Sequence, residues 1–212
     1  SGSGNVATHA AEKVLQLGGK PITLSDSGGF IECSDGLTQE QIDWIKELKD
    51  VRRGRISEAA DEFANINFHA DKRPWGVGAD LAVPSATQNE INGDDAAAMI
   101  KNGIQLVAEA ANMPCEQKAV DAFIDAGVNF GPAKAVNAGG VGVSGLEMSQ
   151  NSARIAWDEK QLADMLQSMM KNIHDSCVEY GEESGGKVNY LKGANIAGFV
   201  KVAEAMLSYG HV

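Results

Sequence analysis

The residues best suited to chemistry stand at the start of the chain. Gly2, Gly4 and Ala7 make a Gly-x-Gly-x-x-Ala spacing within Ser1-Gly2-Ser3-Gly4-Asn5-Val6-Ala7. Such a spacing lets the backbone turn tightly at Gly2, approach a pyrophosphate at Gly4 and pack a helix closely at Ala7. The helix behind it turns an amide-rich, positively polarised end toward an anion. Asp26 follows Ala7 by 19 positions, where an acidic side chain usually meets the ribose of a bound dinucleotide. The same Asp26, standing before Ser27-Gly28-Gly29, also fits a turn-forming carboxylate.

The side chains around Asp26 bear on which dinucleotide would bind. A carboxylate accepts from a ribose 2′-hydroxyl and repels a 2′-phosphate, which favours NAD. Against that, Lys46, Lys49, Arg52, Arg53 and Arg55 crowd one short stretch of an otherwise acidic chain. Lys49 and Arg52 are spaced to share a helix face, and such cations can hold a 2′-phosphate by charge-assisted hydrogen bonds, which favours NADP. The competing explanation is dipole compensation at a helix C-terminus, about 0.3–1 kcal/mol for each cation.

Further polar loops follow the expected strands. They are Ser85-Ala86-Thr87-Gln88-Asn89, Glu109-Ala110-Ala111-Asn112-Met113-Pro114 and Ala135-Val136-Asn137-Ala138-Gly139-Gly140-Val141. Ligands of open α/β sheets bind beyond the carboxyl ends of the strands, so these loops are candidates for a nicotinamide cleft. Taken singly, each is also an ordinary turn with an N-cap.

These loops need elements to position them. Helical periodicity runs over residues 5–17 and stops at Gly18-Gly19. A short strand is expected at 21–26, with Gly28-Gly29 as the turn after it. Helices follow at 38–52, with Thr38 as N-cap, and at 57–64. Strands at 66–69, 80–84, 106–110 and 128–130 alternate with helices at 94–102 and 116–126. The alternation predicts an α/β domain over residues 1–140, a Rossmann-type, mostly parallel, doubly wound sheet covered on both faces. Residues 141–212 read as helical, with helices near 141–157, 159–180 and 194–209. Leu162, Met165, Leu166, Met169, Ile173 and Cys177 recur at helical spacing in the second of these, as core positions rather than a cofactor box.

Bulk properties exclude several classes. Of 212 residues, 18 are Lys or Arg and 29 are Asp or Glu, a net charge of −11, which argues against nucleic acid as a partner because phosphate contacts need basic surface. No apolar run approaches the ~20 residues of a membrane span, and no signal peptide is visible. Cys33, Cys115 and Cys177 lie far apart, without Cys-x-x-Cys spacing, so a reducing, cytoplasmic setting without zinc is expected. His9, His69, His174 and His211 lack metal-ligand spacing. A Gly-x-Gly-x-x-Ala loop normally follows a buried strand, and only Ser1 precedes it here. The expectation is that the first strand lies upstream in a longer protein and that this chain is the cofactor-binding half of an enzyme.

Taken together, the segments Ser1–Ala7, Ser25-Asp26-Ser27, Pro84–Glu90, Ala111–Pro114, Lys134–Val141, Ser144-Gly145-Leu146-Glu147-Met148 and Gly193–Phe199 resemble the hexameric glutamate dehydrogenase family, in family order and from the first residue almost to the last. The resemblance implies reversible oxidative deamination of L-glutamate to 2-oxoglutarate and ammonia with a nicotinamide cofactor. Family members of the NADP type carry Ser-Asp-Ser with a lysine and arginines where Lys49, Arg52 and Arg55 stand, so NADP is implied, with NAD as the alternative. By the same carry-over, Gly2, Ser3, Gly4, Asn5 and Val6 would hold the pyrophosphate. Asp26 and Ser27 would face the adenosine ribose, and Ala86, Thr87 and Gln88 would line the cleft. Asn112 and Asn137 would lie beside the nicotinamide ribose and amide, Val141 against the substrate's methylenes, and Ser144 on its far carboxylate. Ser85 replaces the family's usual Cys and Ala110 its frequent Gly, each one small residue for another. The family's catalytic lysine and aspartate belong to its N-terminal domain and have no counterpart here, so the fragment should bind cofactor without turning over. The whole protein is expected to be a homo-hexamer. The alternatives are a dehydrogenase for leucine, phenylalanine or valine, against which Ser144 argues, and a non-catalytic nucleotide-binding module.

Overall fold

The computed structural model describes residues 1–210. The chain separates into two compact units, Ser1–Val128 and Asn129–Val212. His211 lies outside the described residues.

In the first unit, α1 (Asn5–Gln16) leads into β1 (Thr23–Asp26) and β2 (Gly29–Glu32). α2 (Gln39–Glu47) continues as a π turn over Leu48–Arg52, and α3 (Glu58–Glu62) precedes β3 (Asn67–Ala70). β4 (Leu81–Ala82), α4 (Gly93–Lys101), β5 (Leu106–Ala108) and α5 (Gln117–Asp125) complete the alternation. β4 and β5 pair in parallel, Leu81 opposite Leu106 and Ala82 opposite Val107. The α/β class with parallel pairing is therefore present.

One feature departs from the expected register of turns. Gly28-Gly29 does not end the strand region. It folds β1 back on β2 as a tight antiparallel hairpin, Asp26 opposite Gly29, and β3 adds antiparallel to β2. Gly29 sits at φ +146°, and a Cβ there would lie 2.3 Å from the His69 carbonyl oxygen, so only glycine lets β3 come this close. Along β2, Phe30 and Ile31 are both buried. Such a strand shows no polar alternation, which is why the sequence did not announce it.

α1 and α2 cover this antiparallel sheet. Ala7 and Ala11 of α1, Leu24 and Ile31 of the sheet, and Ile42 and Ile45 of α2 form one buried cluster. Truncating a core isoleucine such as Ile42 to alanine costs about 2–5 kcal/mol in comparable sites. Thr38 caps α2 as expected: its Oγ accepts from the Gln41 amide at 3.3 Å, and Gln41 Oε1 accepts from the Thr38 amide at 3.0 Å. Asn92 and Asp95 make the equivalent reciprocal cap on α4.

The second unit holds β6 (Asn129–Gly131), α6 (Ala133–Val136), α7 (Ala138–Ala153), α8 (Glu159–Gly181) and α9 (Tyr190–Tyr209). α8 packs against both α7 and α9. Of the stripe on α8, Cys177 is buried, whereas Leu162, Met165, Leu166, Met169 and Ile173 are half-buried. A Cβ on Gly142 of α7 would meet Met169 Sδ at 2.4 Å, and one on Gly193 of α9 would meet the Cys177 carbonyl oxygen at 2.0 Å. The helices approach this closely because those positions carry no side chain. α9 exposes Phe199, Val202, Met206 and Tyr209. Among the described residues, no helix is long and apolar enough to cross a membrane.

Candidate functional site

The opening loop has the geometry its spacing predicts. Gly2 is buried at φ +80°, and a Cβ there would stand 3.0 Å from the Ser85 carbonyl oxygen and 3.2 Å from Ala7 Cβ. Both a left-handed backbone and a tight fit therefore require glycine. Gly4 is the N-cap of α1 and has nothing within 4 Å of its Cβ position, which leaves the backbone open to an approaching group. No side chain caps α1 and no acid lies in its first turn. A helix end of this kind retains amide donors and its partial positive charge for an anion. Ser3 and Ala7 are buried while Asn5 and Val6 are exposed.

Ser25, Asp26 and Ser27, at the end of β1, link this loop to the basic segment. Ser25 is buried; its Oγ accepts from the Gly2 amide at 2.8 Å, and its own amide donates to the Gly2 carbonyl at 2.9 Å. The Asp26 carboxylate accepts from the Gly28 amide at 2.8 Å, the Ile56 amide at 3.0 Å and Lys49 Nζ at 3.3 Å. Lys49 Nζ also donates to the Gly54 carbonyl at 2.9 Å. Ser27 Oγ accepts from an Arg55 guanidinium nitrogen at 2.8 Å. Burial pushes the Asp26 carboxyl upward. The amides of Ile56 and Gly28 and the ammonium of Lys49 outweigh it and hold the group below the usual carboxylate range.

The five cations do not act together. Lys49 and Arg55 reach the Ser25–Ser27 segment. Lys46 pairs with Glu12 at 2.6 Å. Arg52 lies 4.5 Å over the Trp44 ring, with its Nε 3.8 Å from Glu47. Arg53 is exposed, in left-handed backbone at φ 57°. The π turn at Leu48–Arg52 bears on Lys49 and Arg52. Its wider winding changes the angular phase of each residue, so Lys49 and Arg52 no longer share the face that 3.6-residue periodicity assigns them.

Residues 86–88 are exposed after β4. Their loop is shaped by Glu90, whose side chain accepts from the Ala86 amide at 3.0 Å. The Glu90 carbonyl in turn accepts from Arg73 and Trp75. Asn112 is exposed after β5. Glu109 is buried there and accepts from the Cys115 amide at 3.2 Å, which folds the 109–115 loop back on itself. In the second unit Asn137 joins α6 to α7 as C-cap of one and N-cap of the other. Val141 and Ser144 lie on exposed positions of α7, Ser144 Oγ donating to the Gly140 carbonyl at 3.3 Å.

Ser25, Gly54, Ile56 and Glu90 shape the site and were not singled out individually from the sequence. Ser25 had a signal, its place in Ser25-Asp26-Ser27. The roles of Gly54 and Ile56 are played by backbone atoms and leave no residue-type mark. A cavity of about 590 Å³ in the first unit, walled by residues 20–24 and 77–83, meets the loops above only at Ser1, Ala7 and Ser85. It is not the candidate nucleotide site.

Comparisons with known proteins agree with this geometry. The glutamate/leucine/phenylalanine/valine dehydrogenase family model matches residues 1–210. A glutamate dehydrogenase of Bacteroides thetaiotaomicron is 52% identical over all of this chain and 48% of its own length. An NAD(P)-specific glutamate dehydrogenase of Xylanibacter ruminicola is 51% identical over 99% of this chain and 47% of its own. The crystal structure of Plasmodium falciparum glutamate dehydrogenase superposes with a TM-score of 0.95 at 40% identity, covering 100% of this chain and 45% of that one. The chain thus spans about half the length of the relatives it matches. On residues 1–210 it belongs to the glutamate/leucine/phenylalanine/valine dehydrogenase family.

Proposed function

We propose that this chain is the cofactor-binding part of an NADP-dependent glutamate dehydrogenase, which interconverts L-glutamate, NADP and water with 2-oxoglutarate, ammonia and NADPH. One observation carries the reading. Three consecutive residues tie a phosphate loop to a cation pair: Ser25 grips Gly2, Asp26 holds Lys49, and Ser27 bonds Arg55. A dinucleotide with a third phosphate on its adenosine ribose is the ligand whose charges match that spacing of groups.

The residues fit the cofactor. Gly2, Ser3, Gly4, Asn5 and Val6 present backbone and the uncapped start of α1 to the pyrophosphate. Ser27, Lys49 and Arg55 supply donors to the 2′-phosphate, whereas Arg52 joins them only by leaving Trp44. Ala86, Thr87 and Gln88 line the cleft, and Asn112 and Asn137 orient the nicotinamide ribose and amide. Val141 packs on the substrate's methylenes, and Ser144 donates to its far carboxylate. The bound nicotinamide supplies the hydride acceptor or donor. No residue of this chain is assigned the proton transfers, which fall to a lysine and an aspartate of the remaining half.

The whole protein is a homo-hexamer in this reading, located in the cytoplasm. The exposed apolar face of α9 is surface that an assembly or the remaining half would cover. NAD stands as the second cofactor, favoured by Asp26 and by the relative named NAD(P)-specific. The test is direct. The natural full-length protein should oxidise NADPH in the presence of 2-oxoglutarate and ammonia, and far more slowly when the oxo acid of leucine replaces 2-oxoglutarate. Absence of ammonia-dependent oxidation with 2-oxoglutarate overturns the proposal.

A further inference from the structure

An acid at the end of a strand in a dinucleotide-binding fold is usually read as the ribose ligand. The geometry around Asp26 points to a different duty. Its side chain is 10% exposed. A carboxylate offers about four lone-pair directions, and three donors already converge on this one: the Gly28 amide, the Ile56 amide and Lys49 Nζ. The first closes the β1–β2 turn. The second pins the 53–57 loop, which carries Arg55. The third fixes Lys49.

Lys49 shows what this pinning achieves. An ammonium has three donors. Asp26 takes one at 3.3 Å and the Gly54 carbonyl another at 2.9 Å, which sets the direction of the third. Arg55 is held in the same way, its loop tied down by Asp26 through Ile56 and its guanidinium bonded to Ser27. Two cations on long flexible stems, arranged before a ligand arrives, bind an anion with less loss of side-chain freedom.

We propose that Asp26 is a positioning residue for 2′-phosphate recognition rather than a reader of the ribose hydroxyl: its carboxylate arranges Lys49 and Arg55 beside Ser27 and does not itself touch the cofactor. This rests on the NADP reading above. It also removes the conflict between an acid that should repel a 2′-phosphate and cations that should attract one, because the acid is the part that orients the cations.

The experiment measures dissociation constants of NADP⁺ and NAD⁺ for the natural full-length protein and for Asp26→Asn, Lys49→Gln and the double variant. Asp26→Asn keeps the size but removes the charge that holds Lys49, and its one carbonyl oxygen can serve either the Gly28 amide or the Ile56 amide, not both. Positioning requires NADP⁺ to weaken by about tenfold or more with NAD⁺ changed by less than about twofold, and the double variant to lose less than the two single losses combined, because part of the Asp26 effect runs through Lys49 and the rest through Arg55. A ribose-reading acid gives the reverse, NAD⁺ weakened and NADP⁺ unchanged or tighter, and overturns the proposal. Equal losses for both cofactors reveal a merely structural role and overturn it too. If Asp26→Asn does not fold, Lys49→Gln answers in its place: NADP⁺ must weaken while NAD⁺ holds, and NAD⁺ binding that tightens once the carboxylate is released overturns the proposal. Failure of the dehydrogenase reading is separate, since the unmodified protein would then show no glutamate-dependent reduction of either cofactor.

Discussion

Two regions meet at the end of β1 and are built by different physics. The phosphate loop is backbone. Gly2 is locked by a left-handed φ and by 3.0 Å to the Ser85 carbonyl oxygen, and Ser25 clamps both its amide and its carbonyl. The basic segment is side chain. A single carboxylate, a π turn and two cations hold one another in place. The first is fixed by sterics and offers the same donors to any dinucleotide. The second is fixed by charge and can be retuned by single substitutions. Affinity for dinucleotides as a class should therefore reside in the loop, and the choice among them in the basic segment.

The largest effect should come from the loop. Gly2→Val forces a branched residue into φ +80° and a Cβ against Ser85. The backbone strain is on the order of 1–3 kcal/mol, and the overlap moves the loop besides. Calorimetric titration should find NADP⁺ and NAD⁺ both weakened by about a hundredfold or more, with a melting curve showing that the variant is folded. A variant that loses one cofactor and keeps the other would break the comparison, because the loop would then be contributing to choice.

The same contrast explains what could be read from the chain alone. Gly2 takes a left-handed φ that favours glycine, so the Gly2, Gly4 and Ala7 spacing announced the loop. Reciprocal caps such as Thr38 with Gln41 were legible because side-chain type determines them. The basic cluster was legible only as composition. Which cation turns where depends on the winding of Leu48–Arg52, and nothing in those residue types distinguishes a π turn from a helix that continues. β2 was missed for a related reason: Gly28-Gly29 reads as the end of a strand, and two adjacent buried residues, Phe30 and Ile31, hide the period of two. The roles of Ser25 and Ile56 lie in contacts across 23 and 30 residues, which no local pattern carries.

Acid should separate the two regions. Gly2, Ser25 and Ser85 carry nothing that titrates, whereas the basic segment hangs on Asp26. The folded-state pKa of Asp26 is lowered despite its burial, by the Ile56 and Gly28 amides and by Lys49. The folded form therefore binds fewer protons than the unfolded one as pH drops below about 4, the ordinary carboxylate value. The stability Asp26 contributes is fully present above that pH and is lost as pH falls through its lowered folded pKa. Denaturant melts between about pH 6 and pH 3 should show the unmodified protein losing more stability than Asp26→Asn, while carboxylates elsewhere, such as Glu12 beside Lys46, affect both alike. Parallel curves would mean that the carboxylate is not bound in this way.

The smallest effect should fall on Arg52, and it sharpens the comparison most. Composition groups Arg52 with Lys49 and Arg55, but its guanidinium rests 4.5 Å over Trp44 and only 3.8 Å from Glu47, with the side chain 40% exposed. A half-exposed cation–π contact is worth about 0.5–1 kcal/mol, and a surface ion pair about 0–1 kcal/mol. Arg52→Ala should therefore lower stability by less than about 1.5 kcal/mol and leave the NADP⁺ to NAD⁺ affinity ratio within about twofold of its original value. Calorimetry with both cofactors, run beside a denaturant melt, reads the two quantities separately. A selective loss of NADP⁺ would mean that Arg52 leaves Trp44 when the 2′-phosphate arrives. The basic segment would then reach its final arrangement only on binding, unlike the phosphate loop, and Asp26 would be organising two of three cations instead of the whole set.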